Sequence, residues 1–323
     1  MSWRRQEKLT LIVYFAIVVF VAIFTLYAAR YVISHPRTAR DWAAAAAIDG
    51  KIYLLGGRDR ERGLLDEVLE IDLVSRRARV IAHLPSPRYG LMAVAMENQL
   101  YGLGGQDDRG PLNEIVRIDP ERGVAWVSGH LPTSWALGAL IAVGQKLYTL
   151  GGWNGSRRTA EILEVDPYSG RASPVGSLPT PRESACGAAL EGKIYLFGGE
   201  DEGGYLNEIL EIDPTGDLEV IGRLPSGRAR CSATALNGKV YLAGGWSRGM
   251  LDEILEVDVS SGRVSLVGHL PQPMADRVLV AAEGELYLIG GADQDFKYQI
   301  QILKIEPQSG RVSPFRLRGF LWW

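Results

Sequence analysis

Residues 231–271 read CSATALNGKVYLAGGWSRGMLDEILEVDVSSGRVSLVGHLP. Cys231 to Leu236 alternates small and apolar side chains, as a strand with one covered face does. Asn237-Gly238 is a tight hairpin signal. Val240 to Ala243 is continuously apolar and fits a strand covered on both faces. The doublet Gly244-Gly245 then permits positive φ or close backbone approach. A loop leads to a third strand over 253–258, and Ser261-Gly262-Arg263 makes a turn. Val264 to Val267 is a fourth strand, and Leu270-Pro271 ends its pairing.

Working outward, the same unit recurs along the chain. Glycine doublets stand at Gly56-Gly57, Gly104-Gly105, Gly151-Gly152, Gly198-Gly199, Gly244-Gly245 and Gly290-Gly291, with gaps of 48, 47, 47, 46 and 46 residues. Each ends an apolar run that carries a tyrosine: Tyr53, Tyr101, Tyr148, Tyr195, Tyr241 and Tyr287. A period of this size marks a repeat architecture. Four short antiparallel strands, repeated six times, imply an all-β, six-bladed propeller. The blades read as complete, the first starting on its inner strand and the last ending on its outer one, so neither terminus is expected to complete the other's blade.

With the doublets, the tyrosine runs and the third-strand ends Asp119-Pro120, Asp166-Pro167 and Asp213-Pro214, the chain resembles the kelch-repeat β-propellers over about residues 38–316. Such repeats usually open their fourth strand with tryptophan. Only Trp126 is near that place here; the other repeats offer Ala78, Ala172, Leu218, Val264 and Val312.

Ahead of the repeats, Leu9 to Ala29 is an uncharged run of 21 residues. At about 1.5 Å per residue it would span roughly 30 Å, the thickness of a bilayer core. Arg4, Arg5 and Lys8 precede it, which favours a cytoplasmic N-terminus. The expected organisation is a flank over 1–8, a transmembrane signal-anchor over 9–29, a tether over 30–38, the propeller over 39–316 and an aromatic tail over 317–323. The protein is then single-pass in the cell membrane, with its propeller periplasmic or extracellular. The tail is expected to emerge on the same face as the start of the first blade.

The formal net charge of -3 gives no polyanion signal and argues against nucleic acid. No cofactor or metal motif is present. His83, His130 and His269 sit on outer strands of different blades and do not converge. Cys186 and Cys231 sit six and seven residues before a turn glycine, so strand alternation puts them on opposite faces and implies two buried free thiols.

Up-and-down blades place tight turns on one face and longer loops on the other, where function on a rigid scaffold concentrates. A residue present in every blade serves the blade; Glu67, Glu114, Glu161, Glu208 and Glu253 therefore read as structural. Two groups depart from the repeat. Arg40, Arg88, Arg182 and Arg228, with Trp135 in the equivalent place, start the innermost strands and, with Arg230 nearby, can form an electropositive funnel or brace the loops. Trp153 and Trp246 directly follow two doublets and suit stacking on a sugar or anchoring a partner. The expected function is a protein- or glycan-binding module outside the cytoplasm, its partner a membrane-proximal protein or a cell-surface glycan. The alternative is a carbohydrate-directed enzyme or binder, similar in plan to kelch-type sialic acid mutarotases. That resemblance implies an anionic sugar held by Arg182 and turned over by Glu183, which departs from its repeat equivalents.

Overall fold

The computed structural model describes residues 17–21, 40–293, 295 and 301–318. Six four-stranded antiparallel sheets follow one another along the chain. In blade one the strands run outward from the axis as Ala44–Ile48, Lys51–Leu55, Glu67–Asp72 and Arg77–His83. Blade four repeats this as Cys186–Leu190, Lys193–Phe197, Glu208–Ile212 and Leu218–Arg223. Blade six ends the ring as Val278–Ala282, Glu285–Ile289, Ile302–Ile305 and Val312–Phe315. The innermost strands of blades two, three and five are Met92–Met96, Ala139–Val143 and Ser232–Leu236.

Second strands are buried because a neighbouring blade covers each of their faces. The apolar core is accordingly six clusters, each bridging two blades. One joins Tyr53 and Val68 of blade one to Leu100 and Val116 of blade two. Another joins Ile52 and Ile71 of blade one to Tyr287 and Ile302 of blade six. The ring is thus closed by side-chain packing, and all four strands of blades one and six are contiguous in sequence.

The glycine doublets add a backbone staple at every seam. The second glycine donates its N–H to a carbonyl of the next blade: Gly57 to Arg88 and Gly105 to Trp135 at 2.8 Å, Gly152 to Arg182 at 2.7 Å, Gly199 to Arg228 at 2.9 Å, Gly245 to Met274 at 3.0 Å. Gly291 to Arg40, at 2.9 Å, closes the circle. The first glycine allows that approach: at Gly151, with φ 58°, an added Cβ would lie 2.5 Å from the Arg182 carbonyl oxygen.

Third-to-fourth turns are organised by the aspartates that end the third strands. Asp72, Asp119, Asp166, Asp213 and Asp258 each accept two backbone N–H groups of the following turn through one carboxylate oxygen. All five are held below the usual carboxylate range. Turn N–H donors lead at Asp72, Asp119 and Asp166, the Thr215 hydroxyl at Asp213 and the Lys239 ammonium at Asp258.

One sequence expectation is corrected. Cys186 and Cys231 form a disulfide, with Cα atoms 5.6 Å apart, and join blades four and five. Alternation holds, but the conclusion drawn from it does not: each blade turns opposite faces to its two neighbours, so Cys186 with Ala188 faces blade five while Cys231 with Ala233 and Ala235 faces blade four, and the two thiols meet across the seam. Leu317 packs against the blade one–six seam, and Arg318 N–H donates to the Arg76 carbonyl, in a tight turn of blade one, at 2.6 Å. The rest of the tail, 319–323, lies outside the described residues.

Of the expected spanning segment, residues 17–21 are helical; its remainder, the 1–8 flank and the 30–38 tether lie outside the described residues. Among the described residues no helix is long and apolar enough to cross a membrane.

Candidate binding face

The repeat-equivalent arginines are braces. Arg40, Arg88, Arg182 and Arg228 are at most 1% exposed. Each crosses its blade from the start of the innermost strand to the first doublet glycine and the third-strand glutamate. Arg182 donates to the Gly198 carbonyl at 3.1 Å and to Glu208 at 3.0 Å; Arg40 donates to the Gly56 carbonyl at 2.9 Å and to Glu67 at 2.8 Å. Arg88 pairs likewise with Glu114, and Arg228 with Glu253. Trp135, fully buried, performs the same task in blade three: its Nε1–H donates to the Gly151 carbonyl at 2.6 Å. These five side chains line no open funnel, because the guanidinium donors that would grip a ligand are spent inside the blade.

Arg182 and Glu183 are also not brought together as a sugar-binding pair. Arg182 turns into blade four, while Glu183 faces Arg158 of blade three at 3.0 Å. Arg158 also holds Glu200, at 3.1 Å. Burial raises the Glu183 carboxyl above its ordinary range, against the opposing pull of Arg158.

The channel mouth on the loop face is different. Two residues after each brace position the backbone turns left-handed in every blade: Trp42, Gly90, Leu137, Ser184, Arg230 and Asp276, with φ between 52° and 62°. Gly90 donates to the Trp42 carbonyl at 2.9 Å, Leu137 to Gly90 at 3.1 Å, Ser184 to Leu137 at 2.7 Å and Arg230 to Ser184 at 2.8 Å. This girdle fixes the backbone while leaving its side chains free to differ. They differ most where blades five, six and one meet. Arg230 Nε donates to Asp276 at 2.7 Å, and a second bond makes the pair bidentate. The same guanidinium lies 4.6 Å from the Trp42 ring centre and 5.6 Å from that of Trp246. Asp276 is almost wholly buried, and burial raises its pKa while Arg230 opposes the rise. Trp42, Trp246 and Arg230 are half-buried, so this cluster reaches solvent. Arg277, which also lines the mouth, is 5% exposed, and its Nη2 donates to the Gln301 carbonyl at 2.9 Å.

Of the residues singled out from sequence, Arg230 and Trp246 come together here. Trp153 is half-buried elsewhere on the same face, in a bridge with Ala136. Trp42 and Asp276 were missed. Aligning the repeats at the second residue after the brace finds them, because that column alone holds Trp, Gly, Leu, Ser, Arg and Asp. Below the mouth the channel, about 340 Å³, is walled by alanine, glycine and aliphatic side chains, with Thr234 contributing a hydroxyl. Such a wall offers no acid, base or nucleophile set for chemistry.

The model of the KLHDC2/KLHL20/DRC7 Kelch-repeats domain matches residues 127–291, half of the chain. No curated protein matches the chain.

Proposed function

The chain belongs to the kelch-repeat family, whose propellers are in general protein-interaction modules, and from that premise we propose a membrane-tethered binding module that presents its loop-face mouth to a membrane-proximal protein outside the cytoplasm. The observation that carries this reading is the Trp42–Arg230–Trp246 stack anchored by Asp276. Tryptophan and arginine held rigid at a partly open site are the residue types that dominate binding energy in interfaces. Protein is favoured over glycan because each tryptophan already lends its ring to the Arg230 guanidinium. Two observations support the location. The Cys186–Cys231 disulfide suits an oxidising compartment. The run Leu9–Ala29 suits a membrane span. Blade one begins at Arg40 beside the doublets, so a tether of 30–38, reaching at most about 32 Å, would keep the loop face near the bilayer.

The test is photo-crosslinking in native membranes, with the crosslinker placed at Trp246 on the loop face or at Asn98 on the tight-turn face. A stoichiometric adduct from Trp246 and none from Asn98 is expected. Equal yields from both faces would sink the loop-face reading. Free thiols at Cys186 and Cys231, trapped by alkylation before lysis, would sink the oxidising location.

A further inference from the structure

The sheet register sets a row of three side chains across each blade, on the face that meets the next blade. In blade one it is Tyr53, Glu70 and Arg79. In blades three, four and five the middle residue is again glutamate, and it accepts the tyrosine hydroxyl: Tyr148 to Glu164 at 3.2 Å, Tyr195 to Glu211 at 3.0 Å, Tyr241 to Glu256 at 2.8 Å. Blade two inverts the charge. Its row is Tyr101, Arg117 and Trp126. Tyr168 arrives from the adjacent turn of blade three, so one guanidinium lies 5.6 to 5.8 Å from three ring centres.

This inversion leaves two polar groups short of hydrogen-bond or ion-pair partners among the described residues. The Tyr101 hydroxyl is buried and has no hydrogen-bond partner among the described residues. Arg117 makes no ion pair with any described carboxylate, and its one hydrogen bond is a long one, Nε to Gln99 Oε1 at 3.4 Å. Glu97, the acidic side chain of this corner, is engaged by the Tyr168 hydroxyl and by Gln145 Nε2, the latter at 2.8 Å. Blade six also carries a cation in the row, but there Lys304 is paired with Glu285 at 3.0 Å. Beside Arg117 the rim exposes Val124, Trp126 and Tyr168, at 45%, 38% and 52%. Val124 and Trp126 share a strand face, since they are two residues apart. Arg171, exposed in the same turn as Tyr168, also has no ion pair among the described residues.

We propose that the outer seam of blades two and three is a second docking site, which takes an acidic segment of a partner protein: a carboxylate pairs with Arg117 while adjacent apolar side chains cover Trp126, Tyr168 and Val124. Charge complementarity selects the occupant. Three rings hold the guanidinium in place with its carboxylate partner missing, and a planar fork is suited to bidentate pairing with that group. A cationic occupant would have to expel Arg117 from the aromatic box first. The site is separate from the channel mouth, so partners can occupy both.

Full-length protein in detergent, panned against a displayed library of random ten-residue peptides, tests this. The expected consensus is Asp or Glu next to an aromatic or aliphatic residue. Selected peptides should bind Arg117→Glu and Trp126→Ala about thirty-fold more weakly or worse, and Arg230→Ala with unchanged affinity. Arg117→Glu restores the glutamate that four other blades carry and gives Tyr101 an acceptor, so it should fold at least as well as the parent. A basic consensus, or peptides that bind Arg117→Glu as tightly as the parent, would overturn the proposal. Loss of binding in Arg230→Ala with retention in Arg117→Glu would also overturn it, and would leave the loop-face reading intact.

Discussion

Blades four and six solve the same problem with different chemistry. Each must tie the start of its innermost strand to its third strand across the doublet. Blade four uses Arg182, which reaches both the Gly198 carbonyl and Glu208. Blade six has Met274 at the brace position and Gln301 where the glutamate would stand. Arg277, three residues later, supplies the cross-tie through the Gln301 carbonyl alone. The difference separates the arginine's two functions. In blade four its charge is neutralised inside the blade, so the brace stabilises. In blade six the guanidinium is buried with no carboxylate in range among the described residues, so it holds geometry at an electrostatic cost.

Making blade four resemble blade six gives the largest effect. Arg182→Met leaves Glu208 facing a neutral cavity and is expected to cost about 3 kcal/mol, near the low end for a broken buried pair because Glu208 is partly exposed. Adding Glu208→Gln should recover all but about 1 kcal/mol. Urea midpoints of the two variants measure this; a double variant no more stable than the single one would show that packing, not charge, makes the brace.

The reverse change is smaller and opposite in sign. Arg277→Met removes an unneutralised charge and should stabilise by about 1 kcal/mol at neutral pH. Burial lowers the Arg277 pKa to about 9, far below its value in an unfolded chain. The unfolded state therefore binds more protons above pH 9, and stability from this group rises with pH. The deficit of the parent against Arg277→Met should shrink between about pH 9 and pH 11. A deficit that is constant across this range would mean that Arg277 is neutralised in the fold.

The smallest effect lies at the turns, where blades one to five agree. Asp72, Asp119, Asp166, Asp213 and Asp258 have depressed pKa values in the fold. Their contribution is fully present above the unfolded value of about 3.9 and is lost as pH falls through the lower folded values. Asp213→Asn should therefore lower stability slightly at neutral pH and make its fall below about pH 4 less steep, so that variant and parent converge in acid. An unaltered acid limb would remove the turn aspartates from the account.

Much of this was legible in the chain because the repeat reports itself. Six doublets at nearly constant spacing fixed blade number, strand order and the two faces, and four of the five recurrent glutamates, Glu67, Glu114, Glu208 and Glu253, take the structural part read for them. The brace arginines were legible as positions but not as interior groups. A side chain that begins a channel-lining strand looks exposed until the next strand's carbonyl and a glutamate about 26 residues away are known to meet it. The disulfide was hidden for a related reason. Alternation puts the two cysteines on opposite strand faces, and only the closed ring shows that opposite faces of neighbouring blades are the ones that meet.

By itself, then, the sequence determined what depends on local order: turn glycines, apolar runs, the period, and hence a closed ring of six sheets. What depends on distance between blades was decided only by the tertiary structure. Closing the ring buried Arg182 beside Glu208, joined Cys186 to Cys231, and carried Trp42 from blade one to Arg230 of blade five. The periodicity that reveals the blades is blind to those meetings, because they are made by residues in which the blades differ.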